Sequence, residues 1–339
     1  MTSYGLWGNV MMSLSRRVFF VIAFVSAGFL VVGTGSPAGA QALVKMRIAK
    51  AVTSSFPFAL LELGAEAGIW KAEGIDAELI SFAGDARMQQ AFAAGALDFG
   101  LGSGPAMGYA SKGVPAHAVA ALANKPENMA LVVGKNSGIK SIDDLKGKRI
   151  GVTTLGSLTD WLARKIATEK GWGPDGVQTI AMGDMRTRLA AMESGDLPAS
   201  VTATEQAFQI QDDGQGTVLM TFGQIVPHFH THVILASDPL IKNKPDDVKR
   251  FLRAWFKVVR YAKENKQTTI SSVARTMKLS EKVISDAYDI ELGMMSFDGV
   301  FDPQALTLIQ ASLKELGIVE TPPKIEDMYA KGFVPVVLN

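Results

Sequence analysis

The chain has 339 residues, of which 47% are hydrophobic and 20% are charged, and its formal net charge is +1. This balance is ordinary for a globular protein and offers no basic surface that would attract nucleic acid or an anionic membrane. The sequence contains no cysteine, which excludes disulfides, thiolate metal ligands and a cysteine nucleophile.

Residues 1–40 have the features of a cleaved secretory signal peptide. Arg16 and Arg17 precede an apolar run over 18–33, and Ala38-Gly39-Ala40 is an A-x-A cleavage signal. A membrane span needs ~20 apolar residues, so this run is short for an uncleaved anchor, which is the alternative. The sequence SRRVFF also fits a twin-arginine signal, so the export route stays open between the Sec and twin-arginine systems. We therefore predict a mature, periplasmic protein that begins at residue 41.

Strands and helices alternate along the first part of the mature chain. Short apolar runs predict strands at 45–51, 75–82 and 97–103, with helical segments between them. The runs AHAVAALA and MALVVGK predict two more strands. Alternation of this kind is typical of βαβ units and of a largely parallel sheet. A first lobe is therefore predicted over residues 41–134.

The same pattern restarts at residue 135 and predicts a second doubly wound lobe over residues 135–233. The segment PHFHTHVILAS then predicts a strand by which the chain returns to the first lobe, and residues 234–339 complete that lobe. The remainder is helical in pattern. One helix carries an apolar stripe made by Val248, Phe251, Leu252, Trp255 and Val259. A later stretch resembles a helix-turn-helix, but export and near-neutral charge favour two packed helices over DNA binding.

One stretch of sequence occurs twice. GDARMQQAFAAGALDFG begins at Gly84 and GDMRTRLAAMESGDLPA begins at Gly183, and both read G-D-x-R, a helical run and then G-x-L. We interpret the two copies as the same strand–helix–strand corner in two similar lobes that face each other. Asp85 and Asp184 are predicted to cap the two helices, since aspartate is a preferred N-cap residue.

The order of these segments resembles a known family, the periplasmic solute-binding proteins of ABC importers for nitrate, sulfonates, taurine and thiamine precursors. The resemblance lies in ISFAGDARMQQAFAAGALDFGLGSG, SIDDLKGKRIGVTTLGSLTDWLARK, MESGDLPASVTAT and ELGIVETPPKIEDMYAKGF. It implies an α/β, type II periplasmic-binding-protein fold: two doubly wound lobes, a ligand cleft between them, and a helical C-terminal segment on the first lobe. It also implies a small-molecule ligand and an ABC permease as partners, with no need for more than a monomer.

Polar and glycine-rich residues follow the predicted strands of both lobes. In open α/β sheets ligands bind at the carboxyl ends of strands, where free N–H groups and helix dipoles favour anions. The resemblance implies a cleft lined by Ser54, Phe56, Gly84, Ser103, Ser157, Thr159, Thr202 and Glu205, and Asp85 and Gly104 at the same strand ends complete the predicted set. Helix capping alone is the alternative role of the hydroxyl groups. No arginine stands at a strand end, although Arg87 and Arg186 lie in the first turns of the twin helices.

Three histidines, His228, His230 and His232, alternate along the predicted returning strand and should project from one face. The outer two would lie ~13 Å apart, too far to share one zinc ion, although two of them with Glu205 remain a metal alternative. The resemblance places this segment beside the ligand, so His230 and then His228 are predicted ligand contacts that make binding sensitive to pH. No metal or cofactor is predicted, and His117 is predicted to be structural.

These features favour a binding protein over an enzyme. The predicted cargo is a small organic solute, which could be a sulfonate, a taurine-like compound, a carboxylate or a heteroaromatic, delivered to the permease by lobe closure. A ligand sensor without transport is one alternative. Another is an enzyme of the same superfamily acting on a thiamine pyrimidine precursor, but those enzymes use a cysteine-rich motif that this sequence lacks.

Overall fold

The computed structural model describes residues 42–338, so the predicted signal peptide lies outside the described residues and stays a prediction. Ten strands lie in this part of the chain: Val44–Lys50 (β1), Ile75–Ser81 (β2), Phe99–Ser103 (β3), Ala116–Ala123 (β4), Met129–Gly134 (β5), Arg149–Val152 (β6), Gln178–Ala181 (β7), Ala199–Ala203 (β8), Gly216–Thr221 (β9) and His232–Ser237 (β10).

The α-helices of the described residues are Phe56–Glu66 (α1), Ile69–Ala72 (α2), Asp85–Ala93 (α3), Leu158–Glu169 (α4), Met185–Glu193 (α5), Thr204–Asp212 (α6), Asp238–Asn243 (α7), Pro245–Glu264 (α8), Lys266–Met277 (α9), Glu281–Met294 (α10) and Pro303–Glu315 (α11). Short 3₁₀ segments include Gly104–Lys112 after β3 and Pro126–Asn128 between the two sheets. Within residues 42–338, none of these helices has both the length and the apolar character needed to cross a bilayer.

The strands form two five-stranded sheets with the same layout. The first has the order β2-β1-β3-β10-β4 and the second has the order β7-β6-β8-β5-β9. In each sheet three neighbouring strands run parallel, and a fourth strand lies antiparallel between the third and the edge. The prediction of two doubly wound α/β lobes is confirmed.

The antiparallel strand of each sheet connects it to the other sheet along the chain. Strand β5 follows the last strand of the first sheet but pairs with β8 and β9, and β10 follows the second sheet but pairs with β3 and β4. The predicted boundary after residue 134 is therefore wrong, because the chain crosses to the second lobe between β4 and β5. The predicted return to the first lobe after residue 233 falls inside β10, which pairs with the first sheet from His232 onwards. A buried apolar strand looks the same in sequence whichever sheet it joins.

The core of the first lobe is organised around the aromatic ring of Phe251 on α8. This ring stacks on Trp70 at a centroid distance of 5.6 Å and on Phe99 of β3 at 4.0 Å. The other members of the predicted stripe, Val248, Leu252, Trp255 and Val259, are fully buried as well. Helices α8 and α9 pack on α1 of the first lobe, whereas α10 packs on α6 of the second lobe. The helical C-terminal segment is confirmed, and it reaches both lobes.

The twin corners match in structure at a spacing of 100 residues, not the 99 of the G-D-x-R motifs. Helices α3 and α5 start at residues 85 and 185, and strands β3 and β8 start at residues 99 and 199. The offset arises because Gly84 is the N-cap of α3, whereas Asp184 is the N-cap of α5. At this spacing Met88 of the first lobe corresponds to Arg188 of the second.

The prediction that both aspartates cap their helices is right only for Asp184. Its carboxylate accepts a hydrogen bond from the Thr187 N–H at 3.1 Å. Asp85 is the first residue of α3, and its carboxylate turns towards the end of β3. There it accepts hydrogen bonds from the N–H of Ser103 at 3.0 Å and from its hydroxyl at 2.7 Å. In the first lobe the carboxylate therefore ties the helix to the neighbouring strand.

Replacing Phe251 by alanine should remove the ring that joins α8 to the first sheet. We expect Phe251→Ala to lower the free energy of unfolding by about 3–5 kcal/mol, because both the buried area and the stacking contacts are lost. Urea unfolding followed by circular dichroism measures this value. Lys249→Ala, at an exposed position of the same helix, should stay within about 0.5 kcal/mol of wild type. Equal losses in the two variants would contradict this account of the core.

Candidate ligand-binding cleft

The two sheets direct the carboxyl ends of β1, β3, β6 and β8 towards one cavity between the lobes. The space open to the centres of water molecules in this cavity is about 70 Å³. Its lining contains residues from both lobes: Ala51, Val52, Thr53, Ser54, Ser55, Phe58, Asp85, Ser103, Met129, Thr153, Ser157, Leu158, Thr159, Asp184, Met185, Arg188, Thr202, Ala203, Gln206 and His232. The polar strand ends that the sequence indicated do converge.

The predicted site residues divide between this cavity and its surroundings. Those that line it are Ser54, Asp85, Ser103, Ser157, Thr159 and Thr202. Those that lie outside its lining are Phe56, Gly84, Gly104, Glu205, His228 and His230. The sequence-based set missed Arg188, Thr153, Gln206, Phe58 and His232, all of which line the cavity.

A cluster of three hydroxyl groups forms the wall from the second lobe. The Thr153 Oγ1, Ser157 Oγ and Thr159 Oγ1 atoms lie 2.9–3.0 Å from one another. Ser157 also caps α4, because its Oγ accepts a hydrogen bond from the Asp160 N–H at 3.4 Å. Capping and cavity lining are therefore combined in one side chain. Hydroxyl groups rotate easily, so this cluster can donate or accept hydrogen bonds as a ligand requires.

Asp85 and Ser103 form part of the opposite wall. Burial raises the pKa of the Asp85 carboxyl, and the two hydrogen bonds from Ser103 lower it in part. Both carboxylate oxygens already have a donor in Ser103. The charge of Asp85 is thus held by its own lobe and does not depend on a ligand for hydrogen bonding.

Arg188 is a buried cation on the second-lobe wall and is only 3% exposed. Its Nη1 donates to the Ser200 hydroxyl at 3.0 Å and to the Val201 carbonyl, and its Nε donates to the Asp184 carbonyl at 3.4 Å. Burial lowers the pKa of the guanidinium to about 10, which leaves it charged at neutral pH. Aligning the two copies on their G-D-x-R motifs, 99 residues apart, does not pair Arg188 with Met88. The 100-residue spacing of the helices does pair them, and it would have shown a cation at a position that is buried.

The first turn of α6 connects the lobes directly. The Gln206 side-chain amide donates to the Ser54 carbonyl at 2.9 Å, and a carboxylate oxygen of Glu205 accepts from the Phe56 N–H at 3.0 Å. Glu205 and Phe56 were predicted to line the cleft. Their side chains are instead buried behind it, where they hold the two lobes together.

Glu205 forms a buried carboxyl pair with Glu291 of α10. Both carboxyl groups are fully buried and each affects the pKa of the other, and the Asn128 side-chain amide donates to Glu291 at 3.2 Å. Glu205 Oε2 and Glu291 Oε1 are buried without a hydrogen-bond partner. A proton shared by the two carboxyl groups satisfies both of these oxygens. Burial and the neighbouring carboxyl raise the pKa of Glu291 well above its ordinary value.

Two predicted glycines mark close approaches of the backbone. Gly84 has φ +121°, and a Cβ atom there would lie 2.2 Å from Cγ2 of Thr154 in the second lobe. A Cβ atom on Gly104 would lie 2.4 Å from the carbonyl oxygen of His230. Gly84 is therefore a contact between the lobes, and Gly104 allows the segment before β10 to pack against the first lobe.

The histidine prediction was wrong in its geometry. Strand β10 begins at His232, so the three histidines do not share one strand face. His228 is exposed and contacts the Asp302 carboxylate at 3.1 Å. His230 is buried between the Asn124 side chain and the Asp302 N–H, whose hydrogen bond its Nε2 accepts at 2.9 Å. Only His232 lines the cavity, with its ring edge-to-face against Phe58 at 4.7 Å.

Burial also removes the expected titration of His230 near neutral pH. It lowers the pKa of His230 to about 4 and that of His232 to about 3, so both rings are neutral at pH 7. His117 lies at the start of β4 beside the Asp238 carboxylate, at 2.5 Å. Between residues 42 and 338, no group of three or more histidine and carboxylate side chains is placed to hold a metal ion.

A larger, more open cleft continues outward from the cavity, with about 630 Å³ open to the centres of water molecules. The two spaces share the lining residues Thr53, Ser54, Asp184, Met185 and Gln206. The site therefore has a small interior and a wide outer part.

Two facing α/β lobes with a cavity between their strand ends define the two-lobed periplasmic-binding-protein fold. The family model described as NMT1/THI5 like matches residues 56–269, which is well over half of the chain. The protein belongs to the NMT1/THI5-like family.

Individual relatives agree with this assignment. The chain is 27% identical over 222 residues to a Brucella abortus protein whose name describes it as a binding protein, an alignment that covers 65% of this chain and 67% of the relative. It is 23% identical over 270 residues to a Bacillus subtilis protein named for binding aliphatic sulfonates, covering 78% and 80% of the two chains. The same fold occurs in the alkanesulfonate-binding protein SsuA from Xanthomonas axonopodis pv. citri, which was solved bound to MOPS. The TM-score is 0.70 and the sequence identity is 17%, and the match covers 87% of this chain and 97% of that one.

Substitution of Gly84 should force the lobes apart locally. We expect Gly84→Ala to be destabilised by about 1–3 kcal/mol, because alanine is strained at this φ and its Cβ overlaps Thr154. Thr154→Ala in the same chain should recover part of the loss, as measured by thermal unfolding of the single and double variants. Gly95→Ala, also at positive φ but in open space, should gain nothing from Thr154→Ala. Equal behaviour of the two glycines would contradict a contact between the lobes at Gly84.

The Glu205–Glu291 pair should make stability fall as the pH rises. The folded state keeps a proton that carboxyls of the unfolded chain release near pH 4–5, so the pair's contribution is complete at low pH and is lost as the pH rises towards the raised pKa. Glu291→Gln supplies a permanent donor to Glu205 and should melt higher than wild type at pH 8, by roughly 2–4 °C for each kcal/mol gained. That difference should shrink at pH 5.

Differential scanning fluorimetry between pH 5 and pH 8 measures this effect. Glu281→Gln, at an exposed position of the same helix, is the matched control and should follow the wild-type pH dependence. A Glu291→Gln variant that melts below wild type at every pH would contradict a shared proton in the pair.

Proposed function

We propose that the protein binds a small organic solute in the cavity between its lobes and delivers it to the permease of an ABC importer. The observation that carries the proposal is that both lobes contribute polar strand ends to the lining of one cavity. A ligand in this space contacts both lobes at once, so its binding energy favours the closed arrangement over an open one.

The connections between the lobes suit such a movement. The chain crosses twice, between β4 and β5 and again before β10. Beyond these crossings, specific contacts such as Gln206–Ser54 and Glu205–Phe56 join the lobes at the cleft. Residues in such crossing segments can absorb a hinge rotation while each sheet remains rigid.

The names of the relatives support sulfonates as one candidate class of solute. The Bacillus subtilis relative is named for aliphatic sulfonates, and the Xanthomonas protein for alkanesulfonates. For this chain the candidates are a sulfonate, a taurine-like compound, a carboxylate or a heteroaromatic. We further propose that the protein is exported to the periplasm through its N-terminal signal and works there as a monomer.

We propose that the protein is a carrier and not an enzyme. The sequence has no cysteine for the motif of the pyrimidine-precursor enzymes, and the relatives above are named for binding. A sensor would share the same cleft but would not need a permease. Reconstitution of transport with the cognate permease separates these two roles.

A thermal-shift screen of residues 41–339 tests ligand binding. A ligand that binds only the folded state stabilises it by RT ln(1 + [L]/Kd), about 4 kcal/mol at a 1,000-fold excess over Kd. We expect one chemical class among sulfonates, taurine, nitrate, aromatic carboxylates and pyrimidines to raise the melting temperature by several degrees. Thr202→Val in the cavity should weaken the response about fivefold through the loss of one hydrogen bond.

The matched control is Thr217→Val on the exposed face of β9, which should respond as wild type does. Mass spectrometry of the recovered ligand provides a second check. An unchanged ligand fits a carrier, whereas conversion into a product would contradict the proposal. No response to any compound would do so as well.

A further inference from the structure

We propose that Arg188 binds an anionic group of the solute, so that the cargo is an organic anion whose charged end enters the inner cavity. This inference rests on the proposed binding function and extends it by naming the chemical class of the ligand and the residue that selects it.

The first argument comes from the twin corner of the other lobe. Position 88, the equivalent of 188, holds a methionine that is fully buried beneath Gly100 and Gly102 of β3. The same strand–helix–strand corner therefore forms with an apolar side chain at this place. Transfer of a guanidinium out of water costs several kcal/mol unless it is well paired. The cation at position 188 is thus not needed to build the corner, and its presence calls for another explanation.

The hydrogen bonds of Arg188 leave part of the guanidinium available. Nη1 and Nε donate only to the hydroxyl of Ser200 and to backbone carbonyls, all of which are uncharged. Among residues 42–338, Arg188 forms no ion pair, although the charge of Asp184 acts on it, and Nη2 has no hydrogen-bond acceptor. A guanidinium carries five N–H donors in a fork that matches the oxygens of a carboxylate or sulfonate. The arginine lines the cavity, where such a group would complete its bonding.

Other groups around the cavity are compatible with an anion near Arg188. The N-terminus of α4, a helix of twelve residues, lies beside the Thr153, Ser157 and Thr159 hydroxyls. Helix dipoles and hydroxyl donors both stabilise negative charge at such a position.

Burial lowers the pKa of Arg188 and the Asp184 carboxylate raises it in part, but none of the titratable neighbours forms an ion pair with the guanidinium. Both oxygens of Asp85 are engaged by Ser103 in the other lobe, and the carboxylate of Asp184 accepts from the Thr187 N–H. The His232 ring is neutral at pH 7, because burial lowers its pKa to about 3. Arg188 is thus the only cation among the residues that line the inner cavity.

The shape of the site assigns the two ends of the ligand. The inner space of about 70 Å³ accommodates a compact charged group, and the outer cleft of about 630 Å³ has room for a larger organic part. An anionic head against Arg188 and an organic tail that extends past Met185 and Gln206 fit this division.

The test uses Arg188→Met, which installs the residue of the twin corner. Ethanesulfonate and benzoate are the anionic probes, with ethyl methyl sulfone and benzamide as uncharged counterparts of similar shape, measured by thermal shift and calorimetry. Wild type should bind at least one anion at least tenfold more tightly than its neutral counterpart. Arg188→Met should lose this preference yet unfold at the same or a higher temperature without ligand, because a poorly paired buried cation has been removed.

Arg260→Met, at an exposed position on α8, is the matched control and should keep the wild-type preference. An Arg188→Met variant that keeps the anion affinity would overturn the inference. A drop of several degrees in its ligand-free melting temperature would also overturn it, since the guanidinium would then be structural. Binding of a neutral compound alone would refute the inference but leave the binding function intact, whereas a wild type that no compound stabilises would count against both.

Discussion

The exchange of one strand between the two sheets is the constraint on which the rest of the structure depends. Because β5 belongs to the second sheet and β10 to the first, the chain must cross between the lobes twice. Both crossings lie beside the carboxyl ends of the parallel strands, so those ends face each other across one cleft. A single crossing would leave the lobes free to separate. Two crossings restrict them to a hinge, and this arrangement lets polar groups from both lobes meet at one ligand.

The polar groups buried around the cleft differ in how completely the protein itself satisfies them. Asp85 is bonded by Ser103 within its own lobe, and Glu205 and Glu291 are buried together behind the cavity, where the pKa of Glu291 is raised well above its ordinary value. Arg188 is bonded only to neutral acceptors. The two carboxyl arrangements stabilise the protein whether or not the site is occupied, whereas the cation is incompletely paired until an anion arrives. The buried carboxyl groups therefore have a structural role. Arg188, at the position where the first lobe has Met88, has a role in ligand recognition.

The sequence predicted the architecture well because that signal is local and repeated. Alternating strands and helices, the stripe on α8 and the duplicated corner all follow from periodicity, and each appears in the structure. The errors came where the answer depends on a distant partner. Strand β5 was assigned to the wrong lobe because its apolar run does not reveal which sheet it pairs with. The histidines of 228–232 were assigned to one strand face because alternation alone cannot show where β10 begins.

By itself, the amino-acid sequence determined the α/β class and the two lobes, because these depend on the period of the hydrophobic residues. It also determined the half of the candidate site that lies at strand ends, because polar residues follow those strands. Only the tertiary structure decided that Glu205 and His230 are buried outside the cavity while Arg188 and His232 line it. The reason is geometric, because burial and pairing are set by side chains far away in sequence. A one-residue shift in the N-cap of α5 was enough to hide the correspondence of Arg188 with Met88, which the 100-residue spacing of the observed helices and strands restores.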